Sequence, residues 1–276
     1  MAAATTSSTT PFALGAYLGN PNGSDASAEA GFEAAYNSFT STLGAAPTYL
    51  DNYVDYTQPI NDWVGNAGWQ AWSDAQSVDA KSMTPVIALP MASIASGTPS
   101  ADTQFQQIAA GNYDSVYKGI VQTYAASGYT NLVFRPGWEM NIQGPTYAGD
   151  SAQDQADWVA AYKHIYTVLH QEAATLGVNV TVVWNPSTTN YTNANALTSL
   201  YPGNAYVDAI GADVYSDAYP YSDGNNSSGQ PTYHDWGTGQ EDTSTAQFIA
   251  SATNRTHYWT YPAATEWSND LSLIHI

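Results

Sequence analysis

Short apolar runs alternate along the chain with longer stretches whose apolar residues recur every three to four positions. The first kind predicts buried strands of a parallel sheet, and the second predicts helices that lay one face upon it. Seven strands are expected: Phe12–Gly19, Pro47–Tyr56, Thr84–Met91, Asn131–Phe134, Val178–Trp184, Val207–Val214 and Tyr258–Thr265. Ser27–Leu43 carries Phe32, Tyr36, Phe39 and Leu43 at helical spacing. A Trp-rich stretch (Trp63, Trp69, Trp72) predicts a helix through Lys81, and Asp102–Ala110 another. Asp114 caps a helix that runs through Ala126 and ends at Gly128. The clearest helix is Asp154–Leu176, where Trp158, Tyr162, Ile165, Leu169 and Leu176 trace one face and Gly177 stops it. Shorter helices are expected at Ala194–Leu200 and Thr243–Ala252, and Tyr215–Gly239 reads as a long Gly/Asn/Ser/Tyr loop.

Repeated strand–helix order predicts the α/β class with a parallel sheet. Candidate active residues at the C-terminal ends of the strands favour a (β/α)8 TIM barrel over a doubly wound sheet. No composition break divides the chain. Only ten residues follow Glu266, too few for a further helix and strand. The barrel therefore reads as truncated after strand seven, with residues 1–11 a flexible N-terminus, 12–269 an incomplete catalytic barrel, and 270–276 a non-native or truncated tail.

Charge narrows the partners. Twenty-four acidic residues face five basic ones, for a formal net charge of −19. Nucleic acid and anionic membranes are repelled by such a surface. The same field disfavours an anionic polysaccharide. No apolar run approaches transmembrane length, and Met1–Thr10 has no signal-peptide pattern. An acidic, lysine-poor, Tyr/Thr/Asn-rich chain suits a secreted protein, expected to be monomeric, whose leader has been removed. There is no cysteine, which excludes thiolate metal sites and a cysteine nucleophile. The five histidines lack metalloprotease spacing, and no serine-nucleophile elbow, P-loop or dinucleotide fingerprint occurs. Neither a cofactor nor a metal is expected.

Two segments remain that carry chemistry. Leu132–Asn141 and Tyr261–Trp267 are apolar runs that each end on one Glu framed by aromatic residues. On a parallel barrel both glutamates, Glu139 and Glu266, stand at strand ends on one face. Glycosidic bond cleavage needs two carboxyl groups, roughly 5–5.5 Å apart for retention and about 6.5–9.5 Å for inversion. One is held protonated and the other ionised, roles that mutual repulsion separates at a single pH. The alternative is that both are surface or structural carboxylates. Asp213 and Asp51 also end strands: Asp213 is the reserve carboxylate, and Asp51 is a candidate for a sugar hydroxyl.

The segment Phe134–Asn141 (FRPGWEMN) resembles the acid/base segment of glycoside hydrolase family 26, the endo-β-mannanase family of clan A barrels. Ala109–Asp114, Val182–Ser187 (VVWNPS), Tyr201–Tyr215 (YPGNAYVDAIGADVY) and Ala264–Trp267 (ATEW) are similar to further segments of that family, in the same order. The resemblance runs from about residue 84 to 267. It implies a retaining endo-glycoside hydrolase acting on β-1,4-mannan, with Glu139 as general acid/base, Glu266 as nucleophile, and Tyr215 orienting the nucleophile. Trp184 and Asn185 fall where the family lines its cleft. Trp138, Arg135 and Trp267 join them as candidate substrate contacts, although Arg135 reads equally well as a structural ion pair and Trp184 as a core residue. Trp138 stands where mannanases of the family usually carry His. The strand-eight tryptophan that floors clan A sites is missing, with Trp267 or Trp236 as its candidate substitutes. Alternatives are the same mechanism on β-glucan, β-1,3-xylan or a bacterial exopolysaccharide, and a non-catalytic carbohydrate-binding barrel.

Overall fold

The structure, a computed structural model, describes residues 13–21, 26–142, 146–187, 194–211 and 213, together with the backbone of 221–225 and 231–234. Six parallel strands, β1 (Gly15–Ala16), β2 (Tyr49–Tyr53), β3 (Thr84–Leu89), β4 (Asn131–Pro136), β5 (Asn179–Trp184) and β6 (Ala209–Ile210), pair in chain order. Sequential pairing with a helical crossover each time is the construction rule of the (β/α) barrel. The six strands form a curled half-barrel of that kind.

Strand periodicity sorts the side chains into two layers. Ile87, Leu89, Leu132, Phe134, Val182, Trp184 and Ile210 face the helices and join the main core. Val86, Val133, Val183 and Ala209 face the other way and form a small inner cluster with Tyr49. The register fixes which residues share a layer: Asp51 pairs with Val86, and Ala88 with both Tyr53 and Arg135. Polar residues thus stack above the apolar inner cluster, toward the C-terminal ends of the strands.

The helices are α1 (Ala26–Leu43), α2 (Trp63–Gln76), α3 (Val78–Ser82), α4 (Ala101–Ala109), α5 (Asp114–Ala126), α6 (Ala152–Leu176) and α7 (Ala194–Leu200). The Trp-rich helix is broken at Ser77, an extended residue whose hydroxyl accepts from the Ala80 amide and starts α3. Asp114 does not cap α5: the N-cap is Tyr113, and the Asp114 carboxylate meets His164 Nε2 at 2.7 Å. The long helix α6 opens on a capping box between Ser151 and Asp154 and closes on Gly177 at φ 70°. Its predicted face is buried at Trp158, Tyr162, Ile165 and Leu169, whereas Leu176 is exposed in the last turn.

The stretch read as a loop from Tyr215 to Gly239 contains an antiparallel pair, β7 (Tyr221–Asn225) and β8 (Pro231–His234). The predicted strand Tyr258–Thr265, the helix Thr243–Ala252, residues 1–11 and the tail 270–276 lie outside the described residues. No helix among the described residues is long and apolar enough to cross a membrane.

Candidate active site

The end of β4 is built for a sharp change of direction. Gly137 takes φ 57°, and Glu139 takes φ 57° as well, the one non-glycine residue with positive φ among those described. A side chain in the left-handed region carries strain that the surroundings must hold, and such strain concentrates at functional sites. Three hydrogen bonds hold it here: the Gly137 amide donates to Leu89 O at 2.8 Å, the Glu139 amide to Asn185 O at 2.7 Å, and the Ile142 amide to Glu139 O at 3.1 Å. Only glycine fits at 137, because a Cβ there meets Met91 Sδ at 2.8 Å and the Trp158 ring at 3.0 Å. Asn141 adds a two-way clamp. Its amide nitrogen donates to Ser187 O and its amide oxygen accepts from Ser187 N, both at 2.8 Å. The loop after β4 is thereby tied to the loop after β5, with Glu139, half-buried, between them.

Beneath this loop lies a buried charge cluster. Arg135 is 1% exposed and reaches across the inner layer to three strands. Its Nη2 donates to both Asp51 oxygens at 3.3 and 3.2 Å and to the Tyr53 hydroxyl at 3.3 Å; its Nη1 donates to Asp213 Oδ1 at 3.2 Å and Asn185 Oδ1 at 3.4 Å. Gly211 makes room for this arrangement, since a Cβ there falls 2.5 Å from Asn185 Oδ1. Burial pushes the Asp51 and Asp213 carboxyls above the usual range, and the shared guanidinium only partly pulls them back. Burial works against the charge on Arg135, but the two carboxylates outweigh it and hold its pKa above the ordinary value. One cation thus faces two acids within the buried cluster.

The geometry sorts the sequence candidates. Glu139, Trp138, Arg135, Asn185 and Asp51 come together at the C-terminal mouth of β2, β4 and β5. Within that group Arg135 and Asp51 are partners in a buried ion pair rather than groups held out to a ligand. Trp138 is 8% exposed and meets Tyr53 edge-on, with ring centroids 5.6 Å apart. Trp184 is corrected. It faces the helices, is fully buried, and donates its indole N–H to Leu200 O at 3.1 Å, so it fills the core instead of offering a face to sugar. The physical cause is parity along β5: Val183 and Asn185 point inward, so Trp184 points out. Asp213, the reserve carboxylate, is engaged by Arg135. Glu266, Tyr215, Trp267 and Trp236 lie outside the described residues.

Two residues escaped sequence reasoning. Asn141 sits within a quoted motif, yet its clamp needs the neighbouring strand to be known. Tyr53 occupies an ordinary alternation position of β2, and only the register places its hydroxyl on Arg135. Among the described residues no group of His, Asp and Glu is placed to hold a metal ion.

Comparison with known proteins adds a family. Residues 103–229 match the sequence model of glycosyl hydrolase family 26. A search of curated protein sequences finds no match. Among solved structures, the chain is similar to the Bacillus subtilis mannanase man26, with 21% identity and a TM-score of 0.49 over 75% of this chain and 65% of that one. It is similar to the YdhT protein from Bacillus subtilis, with 20% identity and a TM-score of 0.48 over 75% and 64%. A Cellulomonas fimi endo-β-1,4-mannanase double mutant matches with 17% identity and a TM-score of 0.49 over 74% and 46%. The chain thus spans less than two thirds of the length of each of these structures. The matched segment runs from α4 through β4, the Glu139 loop and β5 into β7, and over it the chain is similar to glycosyl hydrolase family 26.

Proposed function

We propose that the protein is a retaining endo-glycoside hydrolase that cleaves a β-linked polysaccharide, with β-1,4-mannan the first substrate to test, and that it works as a secreted enzyme. The observation that carries this reading is the placement of Glu139. It is held in a strained left-handed conformation at the C-terminal end of a barrel strand, clamped by Asn185 and flanked by aromatic rings. The match to family 26 over the segment that contains it supports the same chemistry. The solved relatives described as mannanases direct attention to mannan among the candidate polymers.

In the proposed reaction Glu139 protonates the leaving glycosidic oxygen while Glu266 attacks the anomeric carbon. The bond from that carbon to the leaving oxygen breaks, and a covalent glycosyl–enzyme forms. Glu139, now a carboxylate, takes a proton from water, whose oxygen displaces Glu266. Tyr215 is assigned to orient Glu266 by a hydrogen bond. Asn185 and Asn141 keep Glu139 in place between the two steps, and the buried Arg135 cluster fixes the strand ends beneath it. No cofactor enters this scheme.

Glu139→Ala and Glu266→Ala are each expected to lower kcat by several orders of magnitude while leaving the circular dichroism spectrum and Tm near those of the parent. Azide should rescue the two variants with opposite product anomers, which assigns acid/base and nucleophile separately. A reducing-sugar assay on mannan, β-glucan and xylan chooses the polymer. Near-parental turnover in Glu139→Ala on every polymer would remove Glu139 from the mechanism.

A further inference from the structure

Two tyrosines stand at the strand ends on the side of the cleft away from β5. Tyr17 directly follows β1 and is 62% exposed, and Tyr53 closes β2 and is 39% exposed. Their ring centroids lie 5.6 Å apart at an interplanar angle of 80°, and Tyr53 meets Trp138 at 5.6 Å and 76°. The three rings therefore form one continuous strip that leads from the residue beside Glu139 outward over β2 and β1. Successive rings are almost perpendicular, so the strip is stepped.

Exposure of two large rings at a strand end has a cost in water that nothing else among the described contacts of Tyr17 offsets. Tyr53 is also not free to turn. Its hydroxyl accepts from Arg135 Nη2 at 3.3 Å, so its polar end is anchored in the buried cluster while its ring reaches the surface. A ring fixed at one end and exposed on the other loses little entropy when a ligand packs on it.

We propose that Tyr17 and Tyr53 form a sugar subsite that seats a neutral hexose unit of the substrate chain, one removed from the bond cleaved, on the β1–β2 side of the cleft. Tyr17 gives the apolar face on which the C–H side of the sugar ring packs, and Tyr53 gives the wall between that unit and Trp138. The occupant is a neutral saccharide because the strip runs without a break into the loop that holds Glu139, and because a net charge of −19 disfavours nucleic acid bases and acidic polymers. The inference rests on the glycosidase reading of Glu139 and adds where the remainder of the polymer lies.

The test measures kcat/KM on neutral β-linked oligosaccharides of increasing length for the parent, Tyr17→Ala, Tyr17→Trp and Trp69→Ala. Trp69 supplies the control, being another exposed aromatic ring, on the helix α2. In Tyr17→Ala the loss should grow with chain length, reach about tenfold through KM on the longest substrate, and be restored by Tyr17→Trp. Trp69→Ala should follow the parent. Calorimetric titration with the longest oligosaccharide is run in parallel, so that binding decides the inference even if no variant, nor the parent, turns substrate over. Parental length dependence and parental affinity in Tyr17→Ala would overturn the subsite. So would a loss equal at all lengths, or a change in self-association with saccharide affinity intact, which would make the strip a contact between copies of the chain. Failure of the parent to hydrolyse any saccharide, with length-dependent binding lost in Tyr17→Ala, would instead refute the glycosidase reading alone.

Discussion

At the residue scale the molecule turns on Arg135. A guanidinium that is 1% exposed is tolerable only because two carboxylates, a hydroxyl and an amide surround it. Arg135→Met removes the cation and strands Asp51 and Asp213 in a site where burial already pushes both carboxyls upward. The expected cost at pH 7 is about 3–5 kcal/mol in urea unfolding. Because both acids have raised pKa values, they take up protons as the pH falls, and the uncompensated charge disappears with them. The cost should therefore shrink measurably between pH 7 and pH 4. An equal cost at both pH values would mean that Arg135 acts by packing rather than by charge. The sequence allowed both a ligand contact and an internal ion pair for this residue, and the difference between them is burial, which no local pattern encodes.

At the element scale, the helices follow local chemistry closely and the strands do so less. The face and the end of α6 were readable from its apolar spacing and from Gly177, whereas its start lies at Ala152, before the expected Asp154, because Ser151 and Asp154 form a capping box. Ser151→Ala should cost about 1 kcal/mol, read as a lower Tm without loss of the far-ultraviolet helical signal. An unchanged Tm would show that the start of α6 is set by packing of Trp158 rather than by its cap. Asp114 illustrates the limit of such local readings. The residue has a capping side chain at a helix start, yet His164, fifty positions away, takes its carboxylate. The β7–β8 pair was missed because Tyr221–Asn225 has neither strong alternation nor a two-residue turn signal, and antiparallel pairing there depends on the partner strand.

At the scale of the whole molecule, charge governs stability. Asp74 is fully buried on α2, where Asn52 Nδ2 donates to it at 2.7 Å and Asn20 Nδ2 at 3.2 Å. Burial pushes its pKa from 3.8 up to about 6, against those hydrogen bonds. A carboxyl whose pKa is higher folded than unfolded binds its proton more tightly in the native state. Its contribution is full below about pH 4 and is lost as the pH rises through 6, an effect on the order of 2–3 kcal/mol. Global repulsion at −19 changes in the same direction. Stability should therefore be greater near pH 5 than near pH 8. Asp74→Asn should flatten the slope between pH 4 and 7 while leaving the remainder due to net charge. An unchanged slope in that variant would assign the pH dependence wholly to the surface.

The order of strands and helices, the acidic polar surface, the position of Glu139 after an apolar strand, and the resemblance to family 26 were all legible along the chain, because each depends on near neighbours or on composition. What only the tertiary structure decided is which side of the sheet each side chain takes and what it meets there. Trp184 and Asn185 are adjacent in sequence, yet one is buried behind the sheet and the other holds the Glu139 loop. Tyr17, Tyr53 and Trp138 belong to three separate strand ends and become one strip only when β1, β2, β3 and β4 curl side by side. The reason is physical: periodicity tells that a strand has two faces, but register and curvature, which arise from contacts distant along the chain, choose the neighbours on each.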